Sequence, residues 1–256
     1  MARRLTEALL ALVALILTLP LLLVAALGIR LSSRGPVLYR SLRVGKDGGV
    51  FTMLKLRTMH VEQGDRRNRI TGLQDPRVFA FGRWLRKAKL DELPQLVNVF
   101  TGRMAIVGPR PEDPMFVSRY YTDLHRETLS VRPGLASPGS IYNYTHGDLL
   151  LGTDDPDGQY LARLLPVKLG LELVYVRQRG LLNDLRIVGR TLLVIAAKML
   201  GKKTFAQPPE LALAEQGGLV MPARRLDPIP RPSAVPQVVL RLDHPEIIAA
   251  RAEVMQ

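Results

Sequence analysis

The longest uncharged stretch of the chain runs from Ala8 to Ile29 and is apolar at almost every position. Its length is about the 20 residues that a helix needs to cross a bilayer. A signal peptide is one interpretation, because Arg3 and Arg4 precede the stretch, but the apolar run is longer than the core of a typical signal peptide. The pattern therefore favours a helix that stays in the membrane.

Two features bear on whether this helix spans the bilayer. Pro20 lies in its middle, where a proline removes a helical hydrogen bond and kinks the chain, and Thr18 offers a hydroxyl to the freed backbone. A spanning helix cannot place the basic residues that flank both of its ends on one side of the membrane. A helix broken at Pro20 that enters and leaves by the same face brings them all to one anionic surface. The residues alone leave both topologies open. The flanking basic residues are Arg3, Arg4, Arg30, Arg34, Arg40, Arg43 and Lys46.

The rest of the chain alternates short apolar runs with polar, proline-rich or glycine-rich turns, a pattern that predicts small elements. A β-hairpin is expected within residues 36–60, with its turn at Asp47-Gly48-Gly49. After Thr204, frequent prolines indicate a linker or extended arm, with a strand at 238–240 and a helix at 245–254. The other expected elements are a polar helix or loop at 61–74, a helix from Leu93 to Phe100, a strand at 104–107, a helix at 115–130, loops over 132–158, helical segments on either side of Pro166, and a last helix that Asn183 or Asp184 caps and that ends near Leu200.

Two adjacent carboxylates, Asp91 and Glu92, stand directly before the helix that begins near Leu93. Asp91 is expected at the N-cap position or next to it. Carboxylates there lie at the positive end of the helix dipole, which keeps them ionised and able to act as a nucleophile or a metal ligand. Taken alone, the pair is better explained as a helix cap, so its chemistry depends on what surrounds it.

The composition narrows the choice of partners. A formal net charge of +13 and a pI near 10.5 indicate a polyanionic partner. Aromatic residues make up only 5% of the chain, and no zinc-finger, RNA-recognition or basic-zipper pattern occurs, which ranks nucleic acid below an anionic membrane or a phosphate-rich substrate. The chain has no cysteine, which excludes disulfides, thiolate catalysis and cysteine-ligated metals.

Four short segments supply the chemistry that a catalytic carboxylate pair needs. Arginine binds phosphate through two hydrogen bonds. Paired carboxylates suit Mg²⁺, which itself bridges substrate phosphates. A carboxylate can also act as a covalent nucleophile at phosphorus, and phosphoryl transfer otherwise requires mainly positioning and charge neutralisation. The segments are Lys55-Leu56-Arg57-Thr58-Met59, Asp75-Pro76-Arg77, Asp91-Glu92 and Gly108-Pro109-Arg110-Pro111.

Three blocks of sequence, in this order, resemble a known family. Residues 55–59, Leu90 to Asn98 and Gly102 to Pro111 are similar to the hallmark blocks of the bacterial sugar transferases, the monotopic phosphoglycosyl transferases that act on polyprenol phosphate. The resemblance covers roughly residues 1–203. It implies an enzyme that starts the membrane assembly of a polysaccharide or glycoconjugate.

The resemblance also implies a mechanism. Asp91 would attack the β-phosphate of a nucleotide diphosphate sugar, usually a UDP-sugar, and polyprenol (undecaprenyl) phosphate would then take the sugar phosphate from Asp91. Glu92 would bind Mg²⁺. The residues implied to organise phosphates, metal and the wall of the site are Lys55, Arg57, Asp75, Arg86, Arg110 and Arg132.

The implied fold is α+β and mostly helical, with a small β-hairpin and short amphipathic helices around a site at the membrane surface. Residues 1–34 would form the re-entrant helix, residues 35–203 the catalytic domain, and residues 204–256 an extension of unknown role. The active site is expected on the cytoplasmic face of the bacterial inner membrane, next to anionic lipids. The sugar, the nucleotide, the polyprenol length, the pathway and a homo-oligomeric state stay open.

The chain departs from the family pattern in two places, and two alternatives remain. Leu19-Pro20 stands where the family commonly has Ser-Pro, and Leu135-Ala136 follows Arg132-Pro133-Gly134 where the family usually has Thr-Gly.

The Asp155-Pro156-Asp157 segment has the Asp-x-Asp spacing of another class of nucleotide-sugar transferase, although an acidic loop explains it better. A membrane-tethered scaffold without catalysis is the third interpretation.

Overall fold

The structure is a computed structural model that describes residues 2–61, 70–71, 75–151 and 155–220. These residues are mostly helical and include two small two-stranded sheets. The predicted strand at 238–240, the predicted helix at 245–254 and most of the segment 61–74 lie outside them. The strands are β1 (Leu38–Val44), β2 (Val50–Leu56), β3 (Ala105–Val107) and β4 (Gly134–Ala136). The helices are α1 (Ala2–Ser32), α2 (Ala80–Lys87), α3 (Gln95–Phe100), α4 (Pro114–Tyr120), α5 (Asp123–Arg126), α6 (Pro138–Leu150), α7 (Pro156–Gln159), α8 (Leu165–Arg177), α9 (Leu181–Met199) and α10 (Pro209–Gln216).

The predicted hairpin is confirmed, and its turn lies where the sequence placed it. Strands β1 and β2 pair antiparallel from Leu38 opposite Leu56 to Val44 opposite Val50. Asp47 has a φ of 56°, a left-handed conformation that asparagine and aspartate tolerate better than most residues. This hairpin carries Lys55 near the end of β2, so its register fixes one of the cations of the site.

Helix α1 is long and apolar enough to cross a membrane by its length and composition. Its helical structure continues through Pro20, so the proline does not end the helix. The Thr18 hydroxyl donates to the Ala14 carbonyl at 2.7 Å, one turn earlier. Pro20 has no amide hydrogen to donate to the carbonyl of Ile16, four residues earlier. The Thr18 hydroxyl bonds to the carbonyls of Ala14 and Leu15 instead of this one, contrary to the expectation, because a threonine in a helix bonds to the preceding turn.

Helix α1 lies along the globular body and packs on it at both ends. Near its N-terminus, Ala11 packs in a core with Val99 and Met104. Near its C-terminus, Ala25 and Ile29 join a second core around the hairpin and α2. Between these contacts, leucines and valines on the opposite side of α1 stay exposed. The helix thus presents one apolar stripe to the protein and a second apolar surface outwards.

Helix α6 corrects the expectation of loops over residues 132–158. It begins after Ser137, whose hydroxyl accepts a hydrogen bond from the Ser140 amide at 2.9 Å, with Pro138 in the first turn. A serine followed by a proline is a helix start signal, because the serine caps the free amides and the proline needs no donor there. The helix predicted at 115–130 is likewise interrupted, since α4 ends at Tyr120 and α5 starts anew behind the Thr122 cap.

The C-terminal part also differs from the prediction. Helix α9 ends near the expected place, but its N-cap is Gly180 rather than Asn183 or Asp184. Beyond the expected boundary at 203, α10 packs on α8 through buried Ala214, and Glu210 forms an ion pair with Arg190 at 2.8 Å. The prolines before α10 start a helix instead of breaking the fold, because proline is well tolerated in a first turn. The packed body therefore extends to residue 220.

Candidate active site

The two candidate carboxylates lie in a short 3₁₀ turn, Leu90–Glu92, between α2 and α3. Lys89 precedes this turn in a left-handed conformation with a φ of 58°. The N-cap position of α3 belongs to Pro94, and no side chain caps that helix, so the expectation that Asp91 caps it is wrong. Asp91 belongs to the separate 3₁₀ turn, three residues before the Pro94 N-cap of α3, and so does not cap the free amides of α3.

Glu92 is buried and surrounded by cations. Arg110 forms a bidentate pair with it, Nη1 to Oε2 at 3.1 Å and Nη2 to Oε1 at 2.5 Å. The ammonium groups of Lys89 and Lys55 lie 3.2 Å and 3.6 Å from the same Oε1. Burial alone would raise the pKa of Glu92, but the three positive charges outweigh it and hold that pKa well below its usual value. Glu92 is therefore a fixed anion.

The surroundings of Asp91 differ from those of Glu92. The Asp91 side chain is only 7% exposed, and it makes no hydrogen bond or ion pair with any residue that the structure describes. Burial and the adjacent charge of Glu92 raise its pKa, while the charges of Lys55, Lys89 and Arg86 act in the other direction. Asp91 is therefore a carboxylate held near cations, with no donor from the described residues on its oxygens.

Lys55 and Arg86 complete the positive surroundings of the pair. Burial lowers the pKa of Lys55 to about 8, against the opposing charge of Glu92. Arg86, on α2, donates to the Thr58 hydroxyl at 2.8 Å. Burial also lowers its pKa, which the charges of Asp91 and of Asp75 counteract. Arg86 therefore lies within electrostatic reach of both aspartates.

Asp75 is placed at the edge of this group and already has a partner. Its carboxylate forms a two-point pair with Arg77, with contacts of 2.9 Å and 2.6 Å. Hydrogen bonding to Arg77 is the main reason that the pKa of Asp75 is lowered. Asp75 is thus linked to the carboxylate pair through the positive charge of Arg86, which acts on the pKa of both Asp75 and Asp91.

Arg57 and Arg132 are not brought to the carboxylate pair. Arg57 lies just beyond the end of β2, where strand alternation stops, and donates to the Ser33 hydroxyl at 2.7 Å and the Ser33 carbonyl at 2.8 Å. Arg132 pairs with Glu7 at 2.6 Å. Both guanidinium groups hold ends of α1, so the structure does not group them with the cations around the carboxylate pair.

Sequence reasoning missed Lys89 and Glu172. Lys89 was hidden in a basic run, and its signal was its place directly before the carboxylate pair. Glu172, on α8, is fully enclosed and accepts from the Arg110 amide at 3.1 Å and the Ser137 hydroxyl at 2.7 Å. Burial raises the pKa of Glu172 to about 7. No local pattern could show this contact, because 62 residues separate the two partners.

Tight backbone contact fixes the turn that carries Arg110. Strands β3 and β4 pair in parallel, with Ala105 opposite Gly134. A Cβ atom at Gly108 would lie 2.4 Å from the Arg132 carbonyl, and one at Gly134 would lie 2.0 Å from the Gly108 amide. Only glycine permits this approach, which sets the start of the Gly108-Pro109-Arg110-Pro111 turn.

The charges of the site suit a polyanion. Two carboxylates face the four cations Lys55, Arg86, Lys89 and Arg110, so the group carries excess positive charge in a largely buried place. No cluster of three or more histidine, cysteine, aspartate or glutamate side chains suited to a metal occurs within the described parts of the chain. The two carboxylates fit a cation only if a ligand such as a diphosphate supplies further oxygens.

The Asp-x-Asp segment has a structural role in this fold. Asp155 is the N-cap of α7 and accepts from the Gly158 amide at 3.0 Å. Asp157 is buried and accepts from the Ile70 amide at 2.7 Å. Because each carboxylate serves a different backbone amide, the geometry disfavours the other class of nucleotide-sugar transferase.

Comparison with known proteins agrees with the motifs of the site. A family model described as bacterial sugar transferase matches residues 1–198. The chain is 33% identical over 207 residues to a UDP-glucose:undecaprenyl-phosphate glucose-1-phosphate transferase of Xanthomonas campestris pv. campestris, with 79% of this chain and 40% of that protein covered. It is 37% identical over 174 residues to a protein of the same name from Caulobacter vibrioides, with 67% and 61% covered.

A third relative is covered more completely. The exopolysaccharide production protein ExoY of Sinorhizobium fredii is 34% identical over 209 residues, with 75% of this chain and 84% of that protein covered. The first two relatives are longer proteins, of which the chain spans 40% and 61%. The match of the family model over residues 1–198 includes α1, the carboxylate pair and the Arg110 turn, and the chain therefore belongs to the bacterial sugar transferase family.

Proposed function

We propose that the protein is a membrane-associated phosphoglycosyl transferase that moves a sugar 1-phosphate from a UDP-sugar to polyprenol phosphate. The observation that carries the proposal is the contrast within the pair: Asp91 is buried without a donor on its oxygens among the described residues, and Glu92 is bound by three cations. The names of the relatives support the substrate classes, since they combine UDP-glucose with undecaprenyl phosphate. Other relatives are named for N-acetylgalactosamine, so the sugar stays open.

In the first half of the proposed reaction, an Asp91 carboxylate oxygen attacks the β-phosphorus of the UDP-sugar. The bond between this phosphorus and the oxygen bridging to the α-phosphate breaks, and UMP leaves with the bonding electrons. Arg110, Lys55 and Arg86 supply positive charge to the diphosphate as negative charge shifts to the leaving phosphate. The sugar phosphate is then bonded to Asp91.

In the second half, a phosphate oxygen of polyprenol phosphate attacks the same phosphorus. The bond to Asp91 breaks, the carboxylate is regenerated, and a lipid diphosphate sugar is released. Two displacements at one phosphorus explain why the site needs an uncommitted carboxylate rather than a base for water.

Mg²⁺ fits the donor set only as a cation shared with substrate. Glu92 would supply a carboxylate oxygen. The oxygens of the diphosphate would supply the ligands that do not come from the protein, as is usual for Mg²⁺. When bound, the ion would neutralise charge on the diphosphate. Glu92 is engaged by Arg110, Lys55 and Lys89 in the structure. We infer that the diphosphate draws Arg110 and Lys55 to itself and so frees Glu92 Oε2, which Arg110 binds in the structure, for the ion.

We further propose that α1 enters and leaves the membrane by the cytoplasmic face instead of spanning it. Helix α1 has 31 residues and carries Pro20 in its interior, where a proline bends a helix and so allows it to turn back towards the face that it entered by. Polar contacts hold it to one body at both ends, Glu7 to Arg132 near the start and Ser33 to Arg57 at the finish. Since the body is one packed unit, both ends of α1 belong on the same side of the bilayer, where the flanking basic residues meet anionic headgroups.

The carboxylate assignment predicts a specific loss in Asp91→Asn. The amide is a poor nucleophile, so we expect UMP release from UDP-sugar in the presence of polyprenol phosphate to fall at least about 1,000-fold. The melting temperature should not fall, because the native carboxylate makes no hydrogen bond with the described residues. Asp155→Asn is the matched control and should keep its activity within a few-fold. Retained turnover in Asp91→Asn would refute the mechanism, and a large loss only in Asp155→Asn would favour the other transferase class.

The metal assignment predicts that the ion binds only together with the donor. Mn²⁺ can replace Mg²⁺ as a paramagnetic probe, and its free signal is measured by electron paramagnetic resonance with Asp91→Asn protein, which does not turn over. We expect the protein alone to leave the signal unchanged, and protein with UDP-sugar to reduce it beyond the effect of UDP-sugar alone. Glu92→Gln protein should lose this extra reduction. Tight binding of Mn²⁺ to the protein without donor would contradict the shared site.

The topology is tested by labelling single cysteines, which the cysteine-free chain allows without background. Ala2→Cys and Arg34→Cys mark the two ends of α1, and Lys203→Cys marks the body. With a membrane-impermeant maleimide, we expect all three to react in inverted vesicles and none in intact spheroplasts. Opposite accessibility of positions 2 and 34 would show a spanning helix.

A further inference from the structure

An aromatic ring close to the carboxylate pair contacts two lysines that the mechanism above does not use for the donor. Tyr144, on α6, has the Lys89 ammonium 4.8 Å and the Lys198 ammonium 4.3 Å from its ring centre. Lys198, in the last turn of α9, also donates to the Tyr144 carbonyl at 2.5 Å. The Tyr144 hydroxyl donates to the Lys87 carbonyl. Tyr144 therefore joins α6, α9 and the segment that leads into the carboxylate pair.

Lys89 connects this cluster to the reacting groups. Its ammonium lies 3.2 Å from Glu92 Oε1 as well as beside the Tyr144 ring. Its left-handed backbone, with a φ of 58°, is a conformation that a lysine rarely adopts and that places it directly before the 3₁₀ turn. A phosphate bound between Lys89 and Lys198 would therefore stand next to Glu92 and Asp91.

An exposed apolar side chain lies on α2 about one turn before Lys87, whose carbonyl binds the Tyr144 hydroxyl. Trp84, on α2, is 44% exposed and stacks on Phe81 at 5.7 Å between ring centres. Two cations beside an exposed apolar surface match a ligand with a phosphate at one end and a long hydrocarbon chain at the other. A UDP-sugar has no such chain.

We propose that Lys89, Lys198 and Tyr144 form the binding site for the phosphate of the lipid acceptor. The ring holds the two ammonium groups by cation–π contact, which keeps them positioned before the phosphate arrives. The acceptor phosphate then lies where one of its oxygens can attack the phosphorus carried by Asp91, and the Asp91–phosphorus bond breaks as the lipid diphosphate sugar forms. This assignment rests on the proposed function and divides its site between two substrates: Lys55 and Arg110 for the donor, Lys198 for the acceptor.

The test separates the two halves of the reaction in Lys198→Met, with Lys203→Met as the matched loss of an exposed lysine near the same end of α9. With UDP-sugar alone, we expect both variants to release one equivalent of UMP, as the native protein does. With undecaprenyl phosphate added, the KM for this lipid should rise about tenfold in Lys198→Met, the effect of one charged hydrogen bond, and stay unchanged in Lys203→Met. Tyr144→Leu, which removes the ring, should raise the same KM.

Binding is measured without turnover from the fluorescence of Trp84, the single tryptophan of the chain. Titration of the native protein with undecaprenyl phosphate should change this emission, and Lys198→Met should need about tenfold more lipid. Dioleoyl phosphatidic acid, a phosphate monoester on a diacyl lipid, should bind more weakly. Equal affinity for the two lipids, or equal behaviour of Lys198→Met and Lys203→Met, would overturn the assignment. If the native protein released no UMP from UDP-sugar alone, the proposed function would be refuted. The titration would still show whether Lys198 contributes to binding of the lipid phosphate.

Discussion

The buried pair between Arg110 and Glu92 is the interaction on which the site depends. Charges taken out of water destabilise a fold by several kcal/mol each unless they are paired with good geometry. Here the pairing is bidentate, and two lysines add to it. The backbone around Arg110 is also fixed, since its amide donates to Glu172 and its turn follows β3 directly and is hydrogen-bonded to β4. The pair thus fixes where positive charge stands before any substrate binds.

The two neighbouring carboxylates have different surroundings. Glu92 forms ion pairs with the cations, whereas Asp91 lies near the same positive charges and makes no hydrogen bond or ion pair with the described residues. In the proposed mechanism, the diphosphate competes for cations that bind Glu92, and Asp91 faces the β-phosphorus. The excess of positive charge, which would be a liability in an empty buried site, becomes balanced when a polyanion is bound.

The membrane helix and the site are linked through one strand. Lys55 and Arg57 stand two residues apart near the end of β2, and the first contacts Glu92 while the second holds Ser33 at the end of α1. At the other end of α1, Arg132 holds Glu7 and precedes β4, which pairs with the strand leading to Arg110. Helix α1 is thereby connected to the elements that carry Lys55 and Arg110, the two cations that we propose for the donor.

Local patterns revealed the hairpin, the carboxylate pair and the arginine turn, because turn residues and adjacent charges are visible in a short window. They also placed Lys55 and Arg110 correctly near the pair. Arg57, which the local pattern singled out, and Arg132, which only the family resemblance implied, lie away from the pair, because the end of a strand and the docking of α1 decide where those side chains go. Glu172 and Tyr144 were missed since their partners are distant in sequence. Helix α6 was not predicted within the expected loops over 132–158, and α10 was not predicted within the proline-rich segment after Thr204, although both helices carry proline in the first turn, where it is favourable.

In the proposed mechanism, Asp91 carries the sugar phosphate during the reaction. This is tested by incubating the native protein with a UDP-sugar in the absence of lipid acceptor, quenching it with acid, and mapping the modification by peptide mass spectrometry. We expect a mass increase equal to one sugar phosphate on the peptide that contains Asp91, and its disappearance when undecaprenyl phosphate is added before the quench. Release of UMP with no modified peptide, or a modification on a different residue, would contradict it.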